Sequence, residues 1–310
     1  MDPQDRKDAA AALAAVPALE GLDPDKAEIE RLGGLTNRVF RVARGGEAWC
    51  LRIPGKGTEE YINRAHEAVA AREAARVGVS PPLVHFDAKS GIMVTRFVDG
   101  ETMTPARFNT AAGAPARAGE AFATLHGSDA KFDFTFELFA MIDDYLKVLS
   151  GKTVELPDGY HDAVAEAEGV RRALAAHPLP SAACHCDPLC ENFIDTGARM
   201  WIVDWEYSGM NDPMWDLGDL SVEASFGEAQ DEEMMRAYFG GEPHPADRGR
   251  VVIYKAMCDL LWTLWGLIQH ANDNPADDFW AYATNRFERC KALMGEADFA
   301  RHLRAVEAGR

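Results

Sequence analysis

Long apolar runs are missing from this chain of 310 residues. Its longest strongly apolar stretch, LLWTLWGLI at 260–268, falls far short of the ~20 residues that a bilayer-spanning helix needs. Positive charge is scarce as well. Lys and Arg number 32 against 50 Asp and Glu, a formal charge of −18. That balance disfavours a general nucleic-acid or anionic-membrane surface and favours a cationic ligand. Six cysteines in a chain of this length do not make a dense disulfide framework, which suits free thiols in a reducing compartment. The N-terminus, MDPQDRKDAAAALAAVPALEGLD, lacks the positive front end of a secretory signal because Asp2, Asp5 and Asp8 occupy it, and it reads as an amphipathic first helix. The expectation is a soluble, cytoplasmic protein. No internal repeat and no low-complexity linker is visible.

What is there is globular. The apolar fraction of 47% with 9% aromatics is ordinary for a packed domain, and the length favours two lobes over one core. In NRVFRVARGGEAWCLRIP at 37–54, apolar residues fall at near-alternate positions around Arg44-Gly45-Gly46-Glu47, which predicts a hairpin. Residues 59–77 are rich in helix formers and stop at Gly78, ahead of Pro81-Pro82. LVHFDAKSGIMVTRFVDG at 83–100 repeats the strand, turn, strand pattern. From about residue 105 helical patterns dominate, interrupted by NFID and MWIVDW, two short strands around the turn TGA. The outline is α+β and bilobal, like a protein kinase: a small β-rich N-lobe over residues 1–98, a hinge at about 94–98, and a larger, mainly helical C-lobe over 99–310.

The block CHCDPLCEN at 184–192, followed by WIVDWEYSG at 201–209, holds the densest set of chemically capable side chains. Cys184, His185, Cys186 and Cys190 could ligate a soft metal. A structural zinc site, however, draws paired cysteines from two separated places, and Cys50, Cys258 and Cys290 are isolated. Small buried thiols are the simpler reading. The carboxylates form a second pattern, H-x-D-x₄-N-x₁₁-D, from His185, Asp187, Asn192 and Asp204. Phosphoryl transfer needs such a set: one carboxylate to accept a hydroxyl proton, and an amide with a second carboxylate to hold Mg²⁺ against phosphates. Taken singly, Asp187 before Pro188 reads as a turn residue and Asn192 as a cap.

HCDPLCEN with IVDWEYSGMNDPMWDLGDL resembles the catalytic core of the aminoglycoside phosphotransferase and choline kinase superfamily, and most closely the bacterial LicA-type choline kinases. The likeness runs from about residue 31 to about residue 290. It implies that Asp187 is the catalytic base, that Asn192 and Asp204 are Mg²⁺ ligands, and that Glu206 contacts a second metal or the substrate side. His185 and Asp216 become supports of the loop. LGGLTNRVFRV at 32–42 lacks G-x-G-x-x-G but is similar to the phosphate-covering turn of choline kinases, which assigns ATP contacts to backbone N–H groups, Thr36 and Asn37. Arg52 stands where protein kinases place a lysine, in agreement with choline kinases, and Glu67 matches the acid that pairs with it; Glu73 on the same helix competes for that role. Residues 94–98 would meet the adenine.

The acceptor is addressed by YKAMCDLLWTLWGLIQ. Trp262 and Trp265 lie three apart and so share a helical face, with Asp259 a turn earlier. A quaternary ammonium has no N–H to donate, so aromatic faces and carboxylates must recognise it. The same pattern also fits a buried core helix. LLWTLWGLIQ and YATNRF are similar to the choline-binding segments of choline kinases, which implies that role for Trp262, Trp265 and Tyr282, with Tyr207 as a further wall. The resulting expectation is an ATP- and Mg²⁺-dependent choline kinase. Kinases for ethanolamine, thiamine or an aminoglycoside, or a choline-binding protein without turnover, are its alternatives.

Overall fold

The computed structural model describes residues 1–33, 37–55 and 62–310. Thr36, the turn residues beside it and positions 59–61 of the expected helix lie outside the described residues.

The first helix, α1 (Pro3–Ala14), starts where the Asp2 carboxylate accepts from Gln4 N at 2.8 Å and a proline occupies the first turn. It buries Ala9, Ala12 and Leu13 against an antiparallel five-stranded sheet. The strands are β1 (Glu28–Gly33), β2 (Arg38–Arg44), β3 (Glu47–Ile53), β4 (Leu83–Phe86) and β5 (Met93–Arg96), in the order β1-β2-β3-β5-β4. The β2–β3 hairpin turns on Gly45 and Gly46, at φ 61° and 85°. Two consecutive positive φ values are what a tight two-residue hairpin demands, and only glycine supplies them cheaply. Phe40, Val42, Leu51 and Val94 fill the core of this sheet.

Helix α2 (Arg64–Arg76) is capped by Asn63, whose side chain accepts from Ala65 N and His66 N. It therefore begins later than the sequence pattern from residue 59 implied, and Glu67 falls in its first turn. Its alanines 68, 70, 71 and 74, together with Phe86, pack into the larger core with Phe122 and Leu125 rather than into the core of the sheet.

The second lobe is helical: α3 (Pro105–Thr110), α4 (Ala114–His126), α5 (Leu138–Ser150), α6 (Tyr160–Ala176), α7 (Met214–Glu223), α8 (Glu228–Phe239), α9 (Pro245–Ala271), α10 (Phe279–Met294) and α11 (Phe299–Ala308). Two small antiparallel sheets interrupt it. In one, β8 (Phe193–Asp195) pairs with β6 (Glu101–Thr102) and β9 (Met200–Ile202); in the other, β7 (Ala182–Cys184) pairs with β10 (Gly209–Asn211). The small antiparallel N-lobe and helical C-lobe match the bilobal α+β expectation. Helix α9 is the hub, packed by α5, α7, α10 and α11. At 27 residues it is long and apolar enough to cross a membrane, far beyond the nine-residue run visible in the sequence, and it is mostly buried inside the lobe.

Candidate active site

The site lies where the loops between β7 and β10 meet α7. Asp216, fully buried in the first turn of α7, accepts from His185 N at 2.7 Å and from Cys186 N at 2.8 Å. This carboxylate satisfies two backbone donors that have no strand partner, and it holds Cys186 in a left-handed conformation at φ 67°. His126 Nε2 sits 3.0 Å from the same carboxylate, and Tyr238 OH lies 3.0 Å from His126 Nδ1. His185 donates from Nε2 to Val203 O at 2.9 Å, which fixes its tautomer, and the Trp205 ring stands edge-on to it at 4.9 Å. His185 and Asp216 are thus buried supports of the loop.

That frame presents Asp187. Asn192 donates from Nδ2 to Asp187 O at 3.1 Å, and Val203 N donates to Asn192 O at 2.9 Å, which ties the backbone around Asp187, Asn192 and the residue before Asp204 together. Asp204 is not borne on a strand, however. Strand β9 ends at Ile202, and Asp204 sits beyond it at φ 67°, a region that Asp tolerates better than most residues. The kink carries Glu206 off the strand direction as well. Burial pushes the Asp187 carboxyl up to about 8, reinforced by Glu223, Asp204 and Glu206 and opposed by Arg286. Burial followed by Asp204 raises Glu206 to about 7, against the pull of Arg52 and of its hydrogen bond with Asn37.

Five charged side chains and the Asn37 amide, from the N-lobe and the loop beyond β9, form one network. Arg52, on β3, pairs with Glu67 on α2 and reaches Asp204 Oδ1 at 3.1 Å through Nη1. Arg64 Nη1 lies 2.7 Å from Glu67 Oε2 and 3.2 Å from Glu206 Oε2, and Asn37 Nδ2 donates to that same oxygen at 3.3 Å. Glu67, Asp204 and Glu206 offer oxygens within 4.8 Å of one another. These carboxylates and the Asn192 amide are hard oxygen donors of the kind Mg²⁺ selects, so the residues fit that ion. Sequence reasoning passed over Arg64, although its i,i+3 spacing to Glu67 was the available signal.

Among the described residues the set Cys184, His185, Cys186 and Cys190 does not gather into one ligand group; Cys184 lies instead with His126 and Asp216. Burial raises Cys184 and Cys186 well above the ordinary thiol range, and Cys190 to about 12. Cys184 Sγ instead contacts Asn211 O at 3.7 Å.

On the acceptor side the structure joins the four expected aromatics into a chain of edge-to-face contacts. Ring centroids are 6.4 Å apart for Tyr207–Trp262, 6.1 Å for Trp262–Trp265 and 5.8 Å for Trp265–Tyr282. Asp259, expected as the acid of this group, is spent elsewhere. It is fully buried and held by Arg289 at 2.6 Å and Arg286 at 3.3 Å. The acid beside the aromatics is Glu223, an electrostatic neighbour of both Tyr282 and Asp187 and ion-paired to Arg286 at 2.6 Å. Arg286 lies over the Tyr282 ring, 4.9 Å from its centroid, and so covers one face of it. Glu223 and Arg286 were missed because their roles depend on how α7 and α10 meet. Only the periodic acid at the end of WDLGDLSVE hinted at Glu223.

Comparison with known proteins finds relatives in both sequence and fold. A choline/ethanolamine kinase family protein from Mesorhizobium loti is 70% identical, with a TM-score of 0.90 over 98% of this chain and 99% of its own. Choline kinase LicA from Streptococcus pneumoniae is 25% identical, with a TM-score of 0.74 over 94% of this chain and all of its own. Protein LicA from Haemophilus influenzae is 26% identical over 277 residues, 86% of this chain and 79% of that protein. Residues 28–251, most of the molecule and all of the charged network, match the phosphotransferase enzyme family, and the chain belongs to that family.

Proposed function

We propose that this phosphotransferase is an ATP- and Mg²⁺-dependent choline kinase that transfers the γ-phosphoryl group to the choline hydroxyl and yields phosphocholine. The observation that carries this reading is the aromatic chain Tyr207–Trp262–Trp265–Tyr282, with Glu223 and Asp187 as its electrostatic neighbours. Aromatic faces and a carboxylate recognise an ammonium without needing a hydrogen on it.

In this reading Asp187 accepts the proton of the acceptor hydroxyl as its oxygen attacks phosphorus. Asn192, Asp204 and Glu206 would hold Mg²⁺, which would neutralise charge on the phosphates. Arg52 forks onto phosphate oxygens and is kept in place by Glu67. Thr36 and Asn37 contact the phosphates, and residues 94–98 receive the adenine. The main contribution of the protein is placement and fixed charge.

Ethanolamine is the second reading, because Glu223 and Asp187 are hydrogen-bond acceptors that a primary ammonium can use and a quaternary one cannot. ADP release with Mg²⁺ and choline, ethanolamine, thiamine or kanamycin, against a control without acceptor, tests both. The highest kcat/KM with choline upholds the choline reading. A win for ethanolamine transfers the aromatic chain to that substrate, and a win for kanamycin or thiamine removes the aromatic assignment. Choline binding with no turnover of any acceptor makes the chain a binding protein.

A further inference from the structure

Arg64 is buried in the first turn of α2, and its place is prepared by the turn between β4 and β5. There Gly91 adopts φ +70°, and a Cβ on it would stand 3.2 Å from Arg64 Nε, 3.3 Å from Arg64 Cδ and 2.5 Å from Pro54 Cγ. A side chain at position 91 would collide with Pro54 and press on the Arg64 side chain, which would have to give by a few tenths of an ångström. The Arg64 side chain is directed at the oxygen Glu206 Oε2, at 3.2 Å, which also accepts from Asn37. A divalent ion ligated by that oxygen would repel a guanidinium held on the same atom. Three carboxylates, Glu67, Asp204 and Glu206, face two guanidiniums, Arg52 and Arg64, so this group already lies close to charge balance. A dication has little to gain there until more negative charge arrives.

We propose that Arg64 is a positioning residue that makes divalent-cation binding depend on nucleotide: its guanidinium holds Glu206 and yields it to the ion when phosphate offers another anion. The inference rests on the Mg²⁺–ATP reading above. Phosphate is the natural second partner because a guanidinium forks onto phosphate oxygens as well as onto a carboxylate. Glu67 tethers the guanidinium meanwhile, so the movement is a change of partner within a fixed reach. The consequence is an order of assembly in which the ion enters with the nucleotide rather than ahead of it.

Mn²⁺ is the probe, with its free concentration read by electron paramagnetic resonance in the absence of nucleotide. Arg64→Gln is expected to bind Mn²⁺ about tenfold more tightly than the natural protein, and its KM for ATP to rise by a similar factor. Arg64→Lys, whose ammonium reaches one carboxylate rather than two, is expected to fall between them and decides the matter if the glutamine variant does not fold. Tightening of about threefold or more supports the proposal, and a smaller change overturns it. A natural protein that fails to turn over ATP with any acceptor defeats the kinase reading whatever Mn²⁺ does. Normal turnover with unchanged Mn²⁺ affinity in the variants defeats only the role of Arg64.

Discussion

In its proposed role as base, Asp187 combines two demands that pull against each other. A base has to be ionised, yet burial beside Glu223, Asp204 and Glu206 holds this carboxyl up to about 8. We therefore expect kcat/KM for the acceptor to climb with pH through the range in which Asp187 ionises, as a pH–rate profile will show, with a midpoint below that of the ligand-free protein because Mg²⁺ beside Asp204 and Glu206 would offset their charge. Asp187→Asn is expected to lower kcat by about 10²- to 10⁴-fold while leaving acceptor affinity in place. Stability moves the opposite way. The folded-state value lies above that of the unfolded chain, so folding is favoured by the protonated form. That contribution is complete below about pH 4 and is lost as pH rises through about 8. The ligand-free protein should show a Tm that falls between pH 6 and 9, and the asparagine variant a flatter dependence. Asp259 marks the limit of what residue spacing tells. Its helical face was legible, but Arg286 and Arg289, which neutralise it, come from α10, and no periodicity within α9 announces them.

At the scale of elements, local signals worked where local chemistry decides. The β2–β3 hairpin followed from Gly45-Gly46, and the end of α2 from Gly78 at φ 81°. The pair β8 and β9 followed from two short apolar runs around a turn. The start of α2 was overlooked although its signal is local, the Asn63 side chain accepting from Ala65 N and His66 N, whereas the break after Ile202 was not legible because the left-handed Asp204 is held by Arg52, far away in sequence. The meeting of α9 and α10 was equally hidden, and it shapes the acceptor side. A Cβ on Gly266 would lie 2.8 Å from Tyr282 Cδ1 and 3.1 Å from Ala283 Cβ. Gly266→Ala is thus expected to cost about 1–3 kcal/mol in denaturant unfolding. It should also raise KM for the acceptor with little change in KM for ATP, because the ring it displaces belongs to the aromatic chain. On α7, Asp216→Ala strands the His185 and Cys186 amides, at about 1–3 kcal/mol for each unsatisfied buried donor, and loosens the loop that presents Asp187.

The whole molecule is an acidic body with its most concentrated charge at the junction of the lobes. Arg52 with Asp204, Arg64 with Glu206 and Asn37 with Glu206 join the N-lobe to the loop beyond β9. A formal charge of −18 attracts cations over a Debye length of about 8–10 Å at ordinary salt. The expected outcome is a kcat/KM for a cationic acceptor that declines as NaCl is raised from about 10 to 300 mM, while a neutral acceptor analogue changes far less. Stopped-assay rates at matched acceptor concentrations check this.

Helix α9 has a consequence for how the protein is made. Its 27 residues read as a membrane span by length and composition, and two of the helices that cover it, α10 and α11, follow it in the chain. On the ribosome, α9 therefore emerges greasy and uncovered before its last partners exist. The catalytic loop, synthesised earlier, waits for the same closure, since α7 packs on α9 and carries Asp216. Until α10 and α11 pack onto it, the emerging chain presents to chaperones and to the membrane-insertion machinery a signal that the finished molecule conceals.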